Sequence, residues 1–318
     1  MAEGLKVLDA ASRRYPDVRL NTTTYPIGGK WAGQTPSVEV ASLGALRRGL
    51  EAFGNLRPVS FAAPSLALTS PMKPEVCAGT NIMVVRELTG GIYFGAHKSD
   101  ARSASDVDQY TYDEVARAAR LAGVLATQGR GSNPLPIISL DKSNVLSACG
   151  TFWRRVVSEV LAAEFPGVPL RHMLIDSAAM TLACSPAKLN GVVLTSNLFG
   201  DIISDQCSAI VGSIGMLPSA SLRGVPDVAD RGATKGLYEP VHGSAPDIAG
   251  EQLVNPIGMI LSVAMMFRYS LGMPDAAQRI DQAVSQTIEA GIRTPDLGGS
   301  ATTSEVGTAV AKALETLV

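Results

Sequence analysis

Cysteine and aromatic residues are scarce in this sequence, and charge of neither sign dominates it. The chain has 318 residues, with four cysteines, 5% aromatic residues and a formal net charge of −2. Cys77, Cys149, Cys184 and Cys207 are widely separated and form no CxxC pair. This spacing favours reduced thiols over a disulfide framework or a zinc site. The near-neutral charge gives no reason to expect nucleic acid as a partner.

A long hydrophobic run is also missing. The most apolar stretch, 258–267, is shorter than the ~18 residues that a membrane-spanning helix requires, and Arg268 follows it. Near the start of the sequence, Glu3, Lys6 and Asp9 stand where a signal peptide would have its apolar segment. We therefore expect a soluble, cytoplasmic protein with no membrane partner.

Apolar segments with strand-like and helix-like spacing alternate along the chain, which is typical of α/β architecture. Predicted strands cover 18–24, 82–85, 136–140, 172–175 and 191–195. Predicted helices cover the segment before Pro16, then 43–53, 112–128, 144–165, 256–270, 275–290 and the segment from 304. No GxGxxG sequence is present, so an ordinary Rossmann dinucleotide site is not indicated.

Acidic and basic residues follow several of the predicted strands. Asp201 and Asp205 lie four residues apart after 191–195, and would share one helix face, where like charges repel unless a cation lies between them. Their hard oxygens suit Mg²⁺ or Mn²⁺, although a solvated helix start explains this pair equally well. Asp176 and Lys142 follow two other strands. The carboxyl ends of strands are where α/β sheets bind ligands.

Three further residues are candidates for substrate contact. Arg57 and Arg86 adjoin apolar segments, and a guanidinium group can bind a carboxylate in bidentate fashion, although surface ion pairs are the alternative. Tyr93 lies among glycines that allow the backbone to approach a ligand, or is an ordinary buried tyrosine.

The segment 236–250, with the sequence GLYEPVHGSAPDIAG, is the most distinctive in the chain. It is too polar, and too rich in glycine and proline, to form a core element. Loops of this composition can wrap a ligand with backbone N–H groups. For His242 within it, ligand contact and a satisfied loop histidine are equally good interpretations.

Taken in order, these stretches resemble the isopropylmalate/isocitrate dehydrogenase family of metal-dependent β-decarboxylating enzymes, and most of all its fungal leucine-pathway members. The resemblance extends to Leu217-Pro-Ser-Ala-Ser221 and to Asp296-Leu-Gly-Gly299, and covers most of the chain. It implies a non-Rossmann, two-domain α/β fold. Residues 1–53 and 211–318 would form the cofactor-side domain, and 54–210 the domain for substrate, metal and dimerisation.

The resemblance also implies a homodimer with shared active sites. Asp201 and Asp205 would bind the metal from one subunit, and Asp176 from its partner. The substrate carboxylates would be clamped by Arg47, Arg57 and Arg86. Lys142, again from the partner, would remove the hydroxyl proton, and Tyr93 would return a proton after the loss of CO₂.

Specificity is implied in the same way. Leu43, one helical turn before Arg47, matches a position that meets an isopropyl group, and Asp247 matches an acid that accepts ribose hydroxyls and repels a 2′-phosphate. These matches imply NAD-dependent oxidative decarboxylation of 3-isopropylmalate to 4-methyl-2-oxopentanoate in leucine biosynthesis. The implied cofactor residues are Glu239, His242, Gly243, Ser244, Ala245, Asp247 and Asn255.

Two family segments have no match in the sequence: a strand with its turn before the first helix, and a helix and strand between Gly29 and Lys30. Val40 also stands where a nicotinamide-side glutamate is expected. The cofactor domain would therefore lack about two strands and expose unpaired edges. One explanation is a mis-assembled or alternatively spliced form of an ordinary enzyme. The other is a paralogue that uses the same site without NAD as a lyase or isomerase, or serves as a regulatory subunit.

Overall fold

The structure, a computed structural model, describes residues 1–16, 18–24, 43–128, 130–227 and 234–317. The strands are β1 Gly54–Ser60, β2 Asn81–Glu87, β3 His97–Ser99, β4 Ala104–Asp106, β5 Ile137–Asp141, β6 Leu170–Leu174, β7 Gly191–Thr195, β8 Pro218–Leu222 and β9 Gly236–Pro240. The α-helices are α1 Ala2–Arg14, α2 Gly44–Gly49, α3 Pro74–Cys77, α4 Tyr112–Thr127, α5 Cys149–Glu164, α6 Ile175–Cys184, α7 Asn197–Ile210, α8 Ile257–Tyr269, α9 Pro274–Glu289 and α10 Thr303–Thr316. The predicted junction at Gly29 and the assignment of Val40 lie outside the described residues.

Seven of these strands form one mixed sheet in the order β6-β5-β7-β2-β1-β8-β9. The first four are parallel to their neighbours, whereas β1, β8 and β9 are joined by antiparallel pairing. Strands β3 and β4 form a separate hairpin. Because parallel strands need helical crossovers, this sheet accounts for the alternating pattern of the sequence. The predicted α/β fold is confirmed.

Both faces of the sheet are covered by apolar side chains. Helices α4 and α5 supply one cluster, which includes Leu121 and Trp153 and packs on Leu56 and Leu194. The opposite cluster joins α6 and α7 to the packed helices α1, α8, α9 and α10. Full burial of a side chain such as Leu121 stabilises the fold by roughly 1.5–3 kcal/mol relative to its exposure. The sheet is therefore held rigidly, and its strand ends can position side chains accurately.

Several predicted elements were wrong or were not foreseen. Residues 18–24 form no strand, because no neighbouring strand pairs with them in the part of the chain that the structure describes. Helix α5 begins at Cys149 rather than at 144. Strand β1, which directly follows the predicted helix 43–53, was not predicted. Its Pro58 is tolerated because β8 pairs only with 54–56, which leaves the proline free of that ladder.

The predicted domain division, 1–53 with 211–318 against 54–210, stays a prediction. Strands β8 and β9, which fall in the predicted cofactor-side domain, continue the sheet that contains β1 and β2. None of the helices in the described ranges combines the length and the apolarity that a membrane crossing needs.

Candidate active site

The candidate residues gather where parallel strands of the sheet end. Arg86 is the penultimate residue of β2, and Asp201 lies in α7, which follows β7. Lys142 comes directly after β5, and Asp176 is in the first turn of α6, directly after β6. Because these strands are parallel neighbours, their carboxyl ends share one edge of the sheet. This placement agrees with the ligand-binding edge that the sequence predicts.

Arg86 is buried, and its guanidinium group is held on several sides. Its Nε and Nη2 donate to Oδ1 of Asn197 at 3.0 and 2.8 Å, and its Nη1 donates to Oδ1 of Asp201. The guanidinium carbon also lies 5.4 Å from the centre of the Tyr93 ring, within range of a cation–π contact. These contacts therefore fix both the position and the orientation of the charged Arg86 guanidinium group.

Arg57 lies on the neighbouring strand β1 and is equally buried. Its Nη1 donates to Ser204 Oγ at 2.6 Å and to Asp205 Oδ1 at 3.2 Å. Burial, reinforced by the charge of Arg86, lowers the pKa of Arg57 to about 10. The group still carries its proton at neutral pH, so the site contains two adjacent cationic forks suited to a dicarboxylate.

Asp201 and Asp205 face these arginines from one side of α7. Their side chains remain 36% and 58% exposed, so solvent reaches the same carboxylates that neutralise the arginines. Two oxygen-donor groups in this setting suit a hard divalent cation. In the described parts of the chain, no three candidate ligands from a single copy come together. A third protein ligand would have to come from elsewhere.

Lys142 and Asp176 form a second group, in which Nζ and Oδ1 are 2.7 Å apart. The hydrogen bond from Lys142 lowers the pKa of Asp176. The buried carboxylate of Asp141 accepts from the Ser143 backbone N–H at 2.7 Å and from Arg154 Nε at 2.6 Å, which fixes the turn that carries Lys142. Sequence reasoning did not identify Asp141 as this anchor.

Tyr93 ends a short 3₁₀ helix, and nearly half of its surface is exposed. Its hydroxyl donates to Asp201 Oδ2 at 3.2 Å. The preceding Gly91 has φ +73°, and a Cβ there would collide with the Tyr110 hydroxyl. Glycine is thus required for the backbone to bring Tyr93 to this place. The structure excludes the simple buried tyrosine that was the alternative.

Arg47 in α2 pairs with a glutamate of β9, whereas Arg57 and Arg86 pair with the aspartates of α7. Its Nη2 donates to Oε1 of Glu239 in β9 at 2.9 Å, and both side chains are half-buried. Leu43, the residue before α2, is also half-buried. The structure therefore connects a predicted substrate arginine with a predicted cofactor residue.

The distinctive segment 236–250 is a strand in its first five residues and then a loop that contains one 3₁₀ turn, Pro246–Ile248, so the expectation of a loop throughout was wrong. From Gly243 to Asp247 the loop is exposed, and Ala245 has a left-handed φ of +41°. His242 is half-buried, with its Nδ1 2.8 Å from the Gly243 carbonyl oxygen. The side chains of Ser244 and Asp247 are therefore accessible to a ligand.

Asn255 is the exception among the predicted cofactor residues. It is buried, its Nδ2 donates to Asp296 Oδ2 at 3.0 Å, and its Oδ1 accepts from the Ile257 N–H at 3.0 Å. These bonds fix the start of α8. The polar atoms of the Asn255 side chain are therefore hydrogen-bonded within the protein, and Asn255 lies further along the chain than the exposed loop 243–247.

Asn55, which the sequence did not single out, lies beside the candidate site. It lies on the same face of β1 as Arg57 and pairs across the sheet with Arg86. Its Nδ2 donates to Ser219 and Ser221 at 2.8 and 3.1 Å, whereas its fully buried Oδ1 has no partner. The two-residue spacing from Arg57 was the available signal, but no strand was predicted there.

Comparison with known proteins settles the family. The isocitrate/isopropylmalate dehydrogenase family matches residues 23–310. The chain belongs to this family. It is 55% identical to the 3-isopropylmalate dehydrogenase AMT6 of Alternaria alternata, over 99% of this chain and 93% of that protein. Identity to the 3-isopropylmalate dehydrogenase gloI of Glarea lozoyensis is 52%, with the same coverage.

The family likeness extends to solved structures. An isocitrate dehydrogenase of Methylococcus capsulatus superposes with a TM-score of 0.76 at 27% identity, over 99% of this chain and 95% of that one. The predicted family and the predicted enzyme class, a dehydrogenase, are confirmed. Both fungal alignments are 350 positions long, against 318 residues here, so some positions of each relative have no counterpart in this family member.

Proposed function

We propose that this protein oxidatively decarboxylates 3-isopropylmalate to 4-methyl-2-oxopentanoate in leucine biosynthesis, using NAD and Mg²⁺ or Mn²⁺, as a cytoplasmic homodimer. The observation that carries the proposal is the pair of buried arginines, Arg57 and Arg86, facing two solvent-accessible aspartates. That arrangement recognises a dicarboxylate together with a divalent cation, in a chain whose fungal relatives are named for this activity.

Charge balance explains why cation and substrate belong together. Within one copy of the chain, the two guanidinium groups are neutralised by Asp201 and Asp205. A dianionic substrate alone would add charge next to those aspartates, and a dication alone would add charge next to the arginines. With both bound, the aspartates would hold the cation and the arginines would hold the substrate. Every buried charge then keeps an opposite partner.

The donor set is chemically suited to the metal, since Asp201 and Asp205 offer hard oxygens and Asp176 of a second copy would be the third ligand. A bound Mg²⁺ or Mn²⁺ would supply Lewis acidity at the C2 oxygen. The residues of the chain hold the substrate in place. Arg57 and Arg86 orient the carboxylates, and Leu43 provides an apolar surface for the isopropyl group.

Two side chains carry the proton transfers in this proposal. Lys142 of the second copy accepts the hydroxyl proton from C2. After the bond between C3 and its carboxylate carbon breaks and CO₂ leaves, Tyr93 donates its phenolic proton to C3. The exposure of Tyr93 and its hydrogen bond to Asp201 keep that proton close to the metal ligands.

The exposed loop 243–247 has one feature that suits a dinucleotide. The exposed Asp247 carboxylate can accept two ribose hydroxyls and would repel a 2′-phosphate, so we propose NAD rather than NADP. NAD would accept the hydride from C2. Glu239, His242, Gly243, Ser244 and Ala245 are the other proposed contacts. Asn255 would contribute by fixing the end of the loop.

The unmatched positions in the fungal alignments favour one alternative, in which the same metal, arginine, lysine and tyrosine groups act on a related acid without NAD. This alternative keeps the proton chemistry and drops hydride transfer. It predicts consumption of substrate that is metal-dependent and unaffected by omission of NAD.

The test is NADH formation by the purified chain with 3-isopropylmalate and Mg²⁺. We expect turnover that EDTA abolishes and added Mg²⁺ restores, with one 4-methyl-2-oxopentanoate per NADH, because the aspartates cannot activate the substrate without the cation. A control with NADP in place of NAD tests the cofactor. A folded, dimeric sample that forms no NADH would contradict the proposed function, and NAD-independent consumption would support the alternative.

A further inference from the structure

We propose that Asn197 is a positioning residue that sets the substrate arginine and the proton donor at the same time. This inference rests on the proposed function for the roles of Arg86 and Tyr93. Asn197 is the first residue of α7 and is 1% exposed. It therefore reaches neither solvent nor substrate, and acts through the groups that it holds.

The side-chain amide of Asn197 uses its full hydrogen-bonding capacity. Its Oδ1 accepts from Arg86 Nε at 3.0 Å and Nη2 at 2.8 Å. Its Nδ2 donates to the carbonyl oxygens of Leu88 and Gly90, each at 3.0 Å. An amide has two acceptor lone pairs and two N–H donors, so this group is completely satisfied. Such a network fixes a single orientation of both partners.

The two sides of the amide lead to different parts of the site. Oδ1 fixes two guanidinium nitrogens of Arg86 and leaves Nη1 directed at Asp201. Nδ2 holds the backbone at Gly90, the residue before the 3₁₀ helix that ends at Tyr93. Arg86 and Tyr93 also contact each other through the 5.4 Å cation–π arrangement. One side chain therefore controls both the carboxylate clamp and the approach of the phenol.

The position of Asn197 is itself fixed by a backbone hydrogen bond and by the close packing of α7 against Arg86. Its backbone N–H donates to the hydroxyl of Tyr110 at 2.8 Å. One turn further along α7, a Cβ on Gly200 would lie 2.6 Å from Cγ of Arg86, so helix and arginine are packed without spare room. A shift of the amide would move Arg86 directly.

No other side chain of similar size reproduces this pattern. Aspartate would keep acceptors toward Arg86 but would face the Leu88 and Gly90 carbonyls with lone pairs. Alanine would leave two buried carbonyls and two guanidinium nitrogens without partners, which is costly in a buried site. The two substitutions therefore separate the clamp function from the turn function.

A double-mutant cycle between Asn197→Ala and Arg86→Lys tests the proposal, with the dissociation constant of 3-isopropylmalate in the presence of Mg²⁺ measured by calorimetry without NAD. We expect each single change to raise this constant about tenfold or more, and the double change to add little to Arg86→Lys, because both remove the same clamp. Additive effects, or an unchanged constant in Asn197→Ala, would overturn the proposal.

Asn197→Asp tests the coupling between Asn197 and the turn that carries Tyr93. It also replaces Asn197→Ala in the test if the alanine variant does not fold. It should lower kcat at least about tenfold while raising KM by less, because the turn that carries Tyr93 loses its donors. Wild-type kcat in this variant would overturn the coupling to Tyr93.

Asn190→Ala is the matched control. Its side-chain amide also joins two chain segments, accepting from Asn81 N–H and donating to Gly79 O, but outside the site. It should lower the unfolding temperature and leave substrate binding unchanged. A wild-type chain that binds substrate without forming NADH would refute the dehydrogenase function and still allow the cycle to be read. A wild-type chain that binds no hydroxy acid would overturn both.

Discussion

Replacing Lys142 by methionine should lower kcat by about 10²- to 10⁴-fold, the usual contribution of a positioned general base. Methionine retains the length and the apolar part of the side chain and removes only the amine that would accept the hydroxyl proton in the proposed mechanism. The ion pair with Asp176 is partly solvent-exposed, so its loss should change the free energy of unfolding little. A large kinetic effect with little change in stability is the expected signature.

The matched control is Lys312→Met, on an exposed position of α10, which should leave kcat unchanged. Steady-state rates at several pH values and a thermal melt of each variant provide the measurement. A Lys142→Met enzyme that retains wild-type kcat would remove Lys142 from the chemistry. A collapse of stability would assign it a structural role instead.

Replacing Asp201 by asparagine should lower kcat/KM by about 10³-fold or more, because the proposed cation would lose a charged ligand and with it much of its ability to stabilise negative charge at the reacting oxygen. Raising the Mg²⁺ concentration should restore only part of the activity. The change also leaves the buried Arg86 without its carboxylate. Breaking a fully buried pair costs about 3–5 kcal/mol; since the Asp201 side chain is 36% exposed, we expect a smaller loss of about 1–3 kcal/mol.

Asp113→Asn, in the exposed first turn of α4, is the control for this second change and should leave Mg²⁺ dependence unaltered. Metal affinity measured by calorimetry, together with urea unfolding, separates the two effects. Unchanged Mg²⁺ affinity in Asp201→Asn would show that the metal is bound elsewhere.

The elements that sequence reasoning identified are those whose apolar pattern is determined by burial. Strand β7 was predicted with its observed bounds because all five of its residues are buried between two parallel neighbours. Helix α4 was predicted to within one residue, since its apolar stripe and its first turn are both regular. Strands β8 and β9 were missed because Ser219 and Ser221 face a polar part of the sheet, and Pro240 ends the edge strand. Tertiary context overrides local pattern in both.

The chemistry of the site could be predicted further than its geometry. Residue types and family order singled out Arg57, Arg86 and the aspartates, but not that these groups neutralise one another in a single copy of the chain. That pairing depends on the register of β1 and β2. Asn55 and Asn197 were given no role because a buried amide has no periodicity of its own, and only its hydrogen-bond partners reveal its role.

The structure divides the candidate residues into two groups by their ion pairs. Lys142 pairs with Asp176, whereas Arg57 and Arg86 pair with Asp201 and Asp205. The proposed active site needs both groups, with one group from each of two copies. A dimer with shared sites makes this possible, and it predicts that two inactive variants can repair each other.

The most direct measurement is therefore subunit complementation between Lys142→Met and Asp201→Asn. The two inactive proteins are mixed, dissociated and allowed to reassociate, and NADH formation is measured with 3-isopropylmalate and Mg²⁺. Random pairing makes about a quarter of all sites intact, so the mixture should recover about a quarter of wild-type activity. A mixture that forms mixed dimers and stays inactive would contradict the shared site, and with it this account of catalysis.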